Sequence, residues 1–247
     1  MAEVALINID KCEVIDPSET GHGFKMKEAV GNWMTMDILW LFTIPVDGQP
    51  APPPATPAKP VWGRPVARVP VGHWAGDRVI IVDQDAGSAS MNLPADLLAR
   101  FPEADPEGDA IEFALENLKH VGLADYKPAE KLDANDALFP TDRVWVVRNL
   151  TKRWYARGDV LVKAEKLSGP AITAGVGLSD LVWAEIGGAM SCGSSHGERF
   201  DIQTLASIQN PEDGQEWVDK SKQAKSTLVS FDMNDDVSAL RGEDEDY

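Results

Sequence analysis

Two aspartates one residue apart, Asp83 and Asp85, follow directly on the apolar run Val79-Ile-Ile-Val82. A strand end can aim such a pair at a divalent cation that bridges substrate phosphates, as in nucleotide-sugar transferases. The same pair is better suited to a turn, because aspartate hydrogen-bonds nearby backbone and Gly87 and Ser88 follow. An EF-hand loop is excluded, since Gly87 falls at the fifth position instead of the sixth and Pro94 stands where the bidentate glutamate is needed. Gly193-Ser-Ser195-His-Gly197 has the spelling of a nucleophile elbow. No histidine follows His196, however, and His196 adjoins the serine it would have to deprotonate. That segment reads as a Gly/Ser-rich loop. Cys192 with His196 supplies half of a zinc site, Cys192 with His120 a thiol and a base, and Cys12, His22, His73 and His196 four ligand atoms. No spacing among them matches a zinc motif. The expectation is no catalytic residue, no cofactor and no metal, with Asp83 and Asp85 as the alternative metal ligands.

The elements that position these groups come in an order that repeats. Asn8-Ile-Asp-Lys11 returns as Asn149-Leu-Thr-Lys152, Met36-Asp-Ile-Leu-Trp40 as Ser179-Asp-Leu-Val-Trp183, and Trp74-Ala-Gly-Asp-Arg78 as Ser195-His-Gly-Glu-Arg199. Three matches in one order predict an internal pseudo-duplication. The first copy is longer by the proline-rich loop 47–72, which holds eight of the 17 prolines. The boundaries that follow are a first unit over 1–92, a helical connector over 93–142, a second unit over 143–231 and an acidic tail over 232–247. Strands are expected at Val4–Ile9, Lys11–Ile15, Arg78–Asp83, Val144–Arg148, Lys152–Ala156 and Arg199–Ile202, the third buried on both faces. Helices are expected at Phe24–Phe42, Leu93–Arg100 and Asp109–His120, with Leu178–Ile186 helix or strand. The class is α+β, a mainly antiparallel sheet or pair of sheets with a few helices packed against it.

Composition narrows the partners. The formal net charge of −17 opposes nonspecific binding to nucleic acid or to anionic membrane, and favours proteins with a basic surface. Residues 232–247 alone carry seven acids against Arg241, too dense in like charge and too poor in apolar surface to favour independent folding. Two cysteines and no charged-then-apolar leader predict an intracellular, by default cytoplasmic, location. The most apolar stretch, 29–46, is interrupted by Asp37 and Pro45 and is shorter than a membrane span.

Arg78 and Arg199 hold the same repeat position, each preceded by an acid, Asp77 or Glu198, and a pair with that neighbour would pin the start of each strand. Trp40 and Trp183 are expected in the core. Contact with partners is expected at Pro52, Pro53, Pro54 and Trp62 of the proline-rich loop, a polyproline II ligand for aromatic grooves, and at Glu243, Asp244, Glu245, Asp246 and Tyr247.

The combination of Asn8-Ile-Asp-Lys11, Trp74-Ala-Gly-Asp-Arg78-Val-Ile, Val147-Arg-Asn-Leu-Thr-Lys152 and Gly197-x-Arg-Phe-Asp-Ile202 resembles a group of uncharacterised, mostly fungal proteins, some carrying an F-box ahead of the same region. The resemblance implies a fold with internal symmetry and a protein-interaction role, and supplies no catalytic residue. The expected function is a non-catalytic interaction or structural assembly protein, an adaptor or a component of a larger complex such as a virion, with homo-oligomers in the same class. The alternative is a metal-dependent transferase or hydrolase using Asp83 and Asp85.

Overall fold

The computed structural model describes residues 4–15, 40–46, 67–83, 87–123, 142–161, 178, 181–182, 185–186, 197–209, 214 and 216–226. Among them two sheets form. The first has the order β3-β5-β2-β1-β4, with β1 Val4–Asn8, β2 Glu13–Ile15, β3 Ala67–Val69, β4 Val79–Asp83 and β5 Lys119–Leu123. The second has the order β8-β6-β7-β9, with β6 Trp145–Asn149, β7 Trp154–Arg157, β8 Phe200–Thr204 and β9 Val218–Asp219.

The class is α+β, but the sheets are mixed and not mainly antiparallel. Pairs β1–β2, β1–β4, β6–β7 and β6–β8 are antiparallel, whereas β2–β5, β3–β5 and β7–β9 are parallel. The connector read as purely helical causes much of the difference. After α1 Ala89–Asn92, α2 Ala95–Leu98 and α3 Ala110–Asn117, the chain enters β5 and inserts it between β2 and β3. A parallel neighbour requires a long crossover, and these helices supply it.

Each face of the first sheet has its own core. Alternation along β4 sends Val79 and Ile81 to a cluster shared with Trp145, Val147, Phe200 and Ile202 of the second sheet. Ile80 and Val82 point the other way, with Ala5 and Ile7, onto Leu97, Ile111 and Phe113 of the helices. The strand is therefore buried on both faces, as its unbroken apolar run predicts. Helix α3 begins where Asp109 accepts from the backbone N–H of Ile111 and Glu112 at 2.8 and 3.0 Å, two of the donors a helix start leaves without partners. Leu178, Leu181, Val182 and Ile186 are helical and fully buried, at spacings that fall on one helical face.

The two sheets join edge to edge. Arg78 and Arg199 form an antiparallel bridge, flanked by Gly76 N–H to Phe200 C=O at 2.8 Å and Gly197 N–H to Val79 C=O at 3.2 Å. The far side of β8 receives residues 43–44, with Ile44 N–H donating to Ile202 C=O at 2.9 Å. Gly72 closes this packing at φ +75°, and a Cβ there would lie 2.7 Å from the Thr43 carbonyl oxygen, so only glycine fits. Trp40 and Trp74 are buried in the shared core, while Trp183 lies outside the described residues. No helix among the described residues is long and apolar enough to cross a membrane.

Candidate interaction site

The repeated motifs occupy equivalent turns. In the first hairpin the Asn8 side chain, fully buried, accepts from Lys11 N–H at 2.9 Å and donates to Asp77 Oδ2 at 2.8 Å. In the second, Asn149, also fully buried, accepts from Lys152 N–H at 2.8 Å and donates to Glu198 Oε2 at 2.5 Å. The lysine Nζ closes each triangle, Lys11 on Asp77 and Lys152 on Glu198. The fourth loop residue has positive φ in both turns, 53° at Cys12 and 55° at Arg153. Even the backbone of the two arginines is met alike: Arg78 N–H donates to Asp10 at 3.0 Å and Arg199 N–H to Thr151 Oγ1 at 3.1 Å. An asparagine that both caps a tight turn and holds a distant carboxylate explains the Asn-x-x-Lys spacing physically.

The arginines do not pair with the acids beside them. Neighbours in an extended strand point to opposite sides, so Asp77 and Glu198 turn to the hairpin while the guanidiniums turn away. Asp10 takes both: Arg78 Nε donates to Oδ1 at 2.8 Å and Arg199 Nη1 to Oδ2 at 2.6 Å. Arg78 reaches Asp96 as well, at 2.6 Å, and Arg199 the Gly76 carbonyl at 2.8 Å. Burial pushes the Asp10 carboxyl upward, but hydrogen bonds from Arg78 backbone and side chain and from Arg199 hold it below the ordinary aspartate value.

A second buried carboxylate, Glu13, accepts from Trp74 Nε1 at 2.9 Å and Lys119 Nζ at 3.1 Å and meets His73 Nε2 at 2.9 Å. Burial raises its pKa, and the bonds from Trp74 and Lys119 with the charges of His73 and Lys119 more than offset this, leaving it lowered. The group ties β2, β5 and the segment before β4 together.

The residues singled out for metal chemistry do not converge among the described residues. Asp83 ends β4 opposite Val4. Asp85, His22, Cys192 and His196 lie outside the described residues, and Asp201, a candidate third acid, is spent within its sheet. Arg148 holds it in a fork across the β6–β8 pair, Nε to Oδ1 at 2.7 Å and Nη2 to Oδ2 at 2.5 Å. Buried His120 meets the Leu115 carbonyl through Nε2 at 2.8 Å. Among the described residues no three acid, cysteine or histidine side chains are placed to share a metal ion. Pro52, Pro53, Pro54, Trp62, Glu243, Asp244, Glu245, Asp246 and Tyr247 also lie outside the described residues.

What the structure adds is a groove of about 470 Å³ beside the second sheet. Tyr155 and Arg157 from β7, Leu205 and Ile208 around the helical turn Ala206–Gln209, and Glu216 and Trp217 before β9 line it. Trp217 is half-buried, with the guanidinium carbons of Arg148 and Arg153 5.1 and 5.9 Å from its ring centroid. Arg157 is aligned by Asp159 at 2.7 Å and its N–H by Ser221 Oγ at 3.0 Å. Tyr155 donates to Asp219 at 3.2 Å, and burial with the Asp219 charge raises its phenol above the ordinary value. Sequence reading gave Tyr155 to a strand and passed over Trp217, because the 61 residues between them carry no shared pattern. Compared with protein-family models, curated proteins and solved structures, the chain matches none of them.

Proposed function

We propose that the chain is a non-catalytic interaction or assembly protein, an adaptor or a component of a larger complex, built from two related units. The relation is supported by the matched turns: buried Asn8 and Asn149, carboxylates at 77 and 198, lysines at 11 and 152, and positive φ at 12 and 153. The observation that carries the functional reading is how the polar groups are used. Asp201, Glu13 and His120, the buried groups that chemistry would recruit, are engaged in bonds that fix strands, while the open groove offers aromatic, apolar and charged atoms for binding.

The partner proposed is another protein with a basic surface, contacted by the acidic stretch 243–247 and by the proline-rich loop through Pro52 to Trp62. Nucleic acid and membrane are disfavoured by the charge of −17. The resemblance to the mostly fungal group belongs to the same proposal. The test is competition in affinity capture. A stoichiometric partner should bind the full chain, lose affinity as salt rises, and bind an Asp244→Lys/Glu245→Lys variant at least about ten-fold more weakly. Equal recovery of that partner by both proteins would remove the stretch from the contact.

A further inference from the structure

The two hairpin turns hold their arginines by the same pair of bonds. Ile9 N–H donates to the Arg78 carbonyl at 2.9 Å and Leu150 N–H to the Arg199 carbonyl at 2.8 Å. Each arginine N–H then donates back to the next turn side chain, Asp10 Oδ2 or Thr151 Oγ1. The equivalence breaks at that side chain, a carboxylate in the first turn and a hydroxyl in the second. Arg78 therefore finds an acid in its own turn, Nε to Asp10 Oδ1 at 2.8 Å, whereas Arg199 crosses the sheet junction and bonds Asp10 and the Gly76 carbonyl through Nη1 alone. Its Nε and Nη2 donors, the edge that Arg148 presents to Asp201 and Arg157 to Asp159, have no acceptor among the described residues. The Arg199 side chain is 43 % exposed. Thr151 is exposed at the turn, and its hydroxyl accepts from Arg199 N–H but donates to no group among the described residues.

We propose that Thr151 is a phosphorylation site, and that phosphate there supplies to Arg199 the anion that Asp10 supplies to Arg78. In the transfer, the bond from the γ-phosphorus of a nucleoside triphosphate to its β-phosphate oxygen breaks and a bond to Thr151 Oγ1 forms. The hydroxyl proton passes to the base of the protein kinase, and a nucleoside diphosphate leaves. The product adds a charge of about −1.5 to −2 and three acceptor oxygens to the turn. Arg199 is tied to its turn as Arg78 is to the first, so its Nε reaches a group at position 151 by the path that Arg78 Nε takes to Asp10. A planar fork of Nε and Nη2 suits phosphate oxygens, and Nη1 stays on Asp10. Lys152 and Arg153 add positive charge directly after Thr151. The opposing acids are Glu198, held by Asn149 and Lys152, and Asp10, held by both arginines. One guanidinium then bridges a carboxylate of the first turn and a phosphate of the second, so the modification tightens the junction of the two sheets, whatever partner the protein binds.

The test has two arms, both on the full chain. In the first, the protein is incubated in native extract with adenosine triphosphate and mapped by phosphopeptide mass spectrometry. Phosphate is expected on Thr151, and in Thr151→Val its signal should vanish while the rest of the map stays unchanged. Phosphate confined to other positions, or absent, would overturn the proposal. The second arm reads the part of the arginine. Thr151→Asp, which places in the second turn the acid found in the first, should lower the unfolding constant in urea about three- to ten-fold. That gain should disappear in an Arg199→Gln background and shrink in Arg199→Lys, which keeps the charge without the fork. An equal effect of Thr151→Asp in all three backgrounds would overturn the assignment of the anion to Arg199.

Discussion

Asp10 receives the backbone and side chain of Arg78 and the side chain of Arg199, so one carboxylate links the first hairpin to both strands at the sheet junction. Asp10→Ala leaves two guanidiniums short of an acceptor and should destabilise the protein by about 2 kcal/mol in urea titration. Asp142→Ala, which removes a solvent-exposed pair with the adjacent Arg143, should leave the urea midpoint close to that of the wild type. Glu13 gives a pH signature. Its folded pKa lies below the unfolded value near 4.5, so the unfolded chain binds the proton first and the contribution is complete above that pH. It is lost as pH falls through the folded value. Stability of the wild type should drop more steeply with acid below about pH 4.5 than that of Glu13→Gln, measured as denaturation midpoints across pH. Parallel slopes would show that this carboxylate is not held in its charged form.

At the scale of elements, the hairpins and β4 were legible because each rests on local information. The Asn-x-x-Lys turns put both capping atoms within four residues, and the run Val79 to Val82 is apolar at every position, so its two buried faces follow from period-2 alternation. The parallel strands were not legible. β5 pairs with residues 54 and 106 positions away, and nothing in Lys-His-Val-Gly-Leu distinguishes a strand from the end of α3. The arginine partners were missed for a similar reason: adjacency in sequence suggested Asp77 and Glu198, while pleating sent each pair to opposite sides. Two substitutions test the packing. Gly72→Ala drives a Cβ against the Thr43 carbonyl at a positive φ and should cost more than about 2 kcal/mol. Asp109→Ala removes the cap of α3 and should cost about 1 kcal/mol, both read from thermal or urea unfolding.

For the molecule as a whole, two mixed sheets share one apolar core and meet through the Arg78–Arg199 bridge. Charge pattern was legible as a global excess of acid, but the meeting of Tyr155, Arg157 and Trp217 in one groove appeared only in the fold. The measurement that bears most directly on an interaction role is affinity capture from native extract with the full chain and with Asp244→Lys/Glu245→Lys, quantified by mass spectrometry at two salt concentrations. A stoichiometric basic partner held by the first and released by the second is the predicted result. Recovery of the chain alone in both would contradict the account.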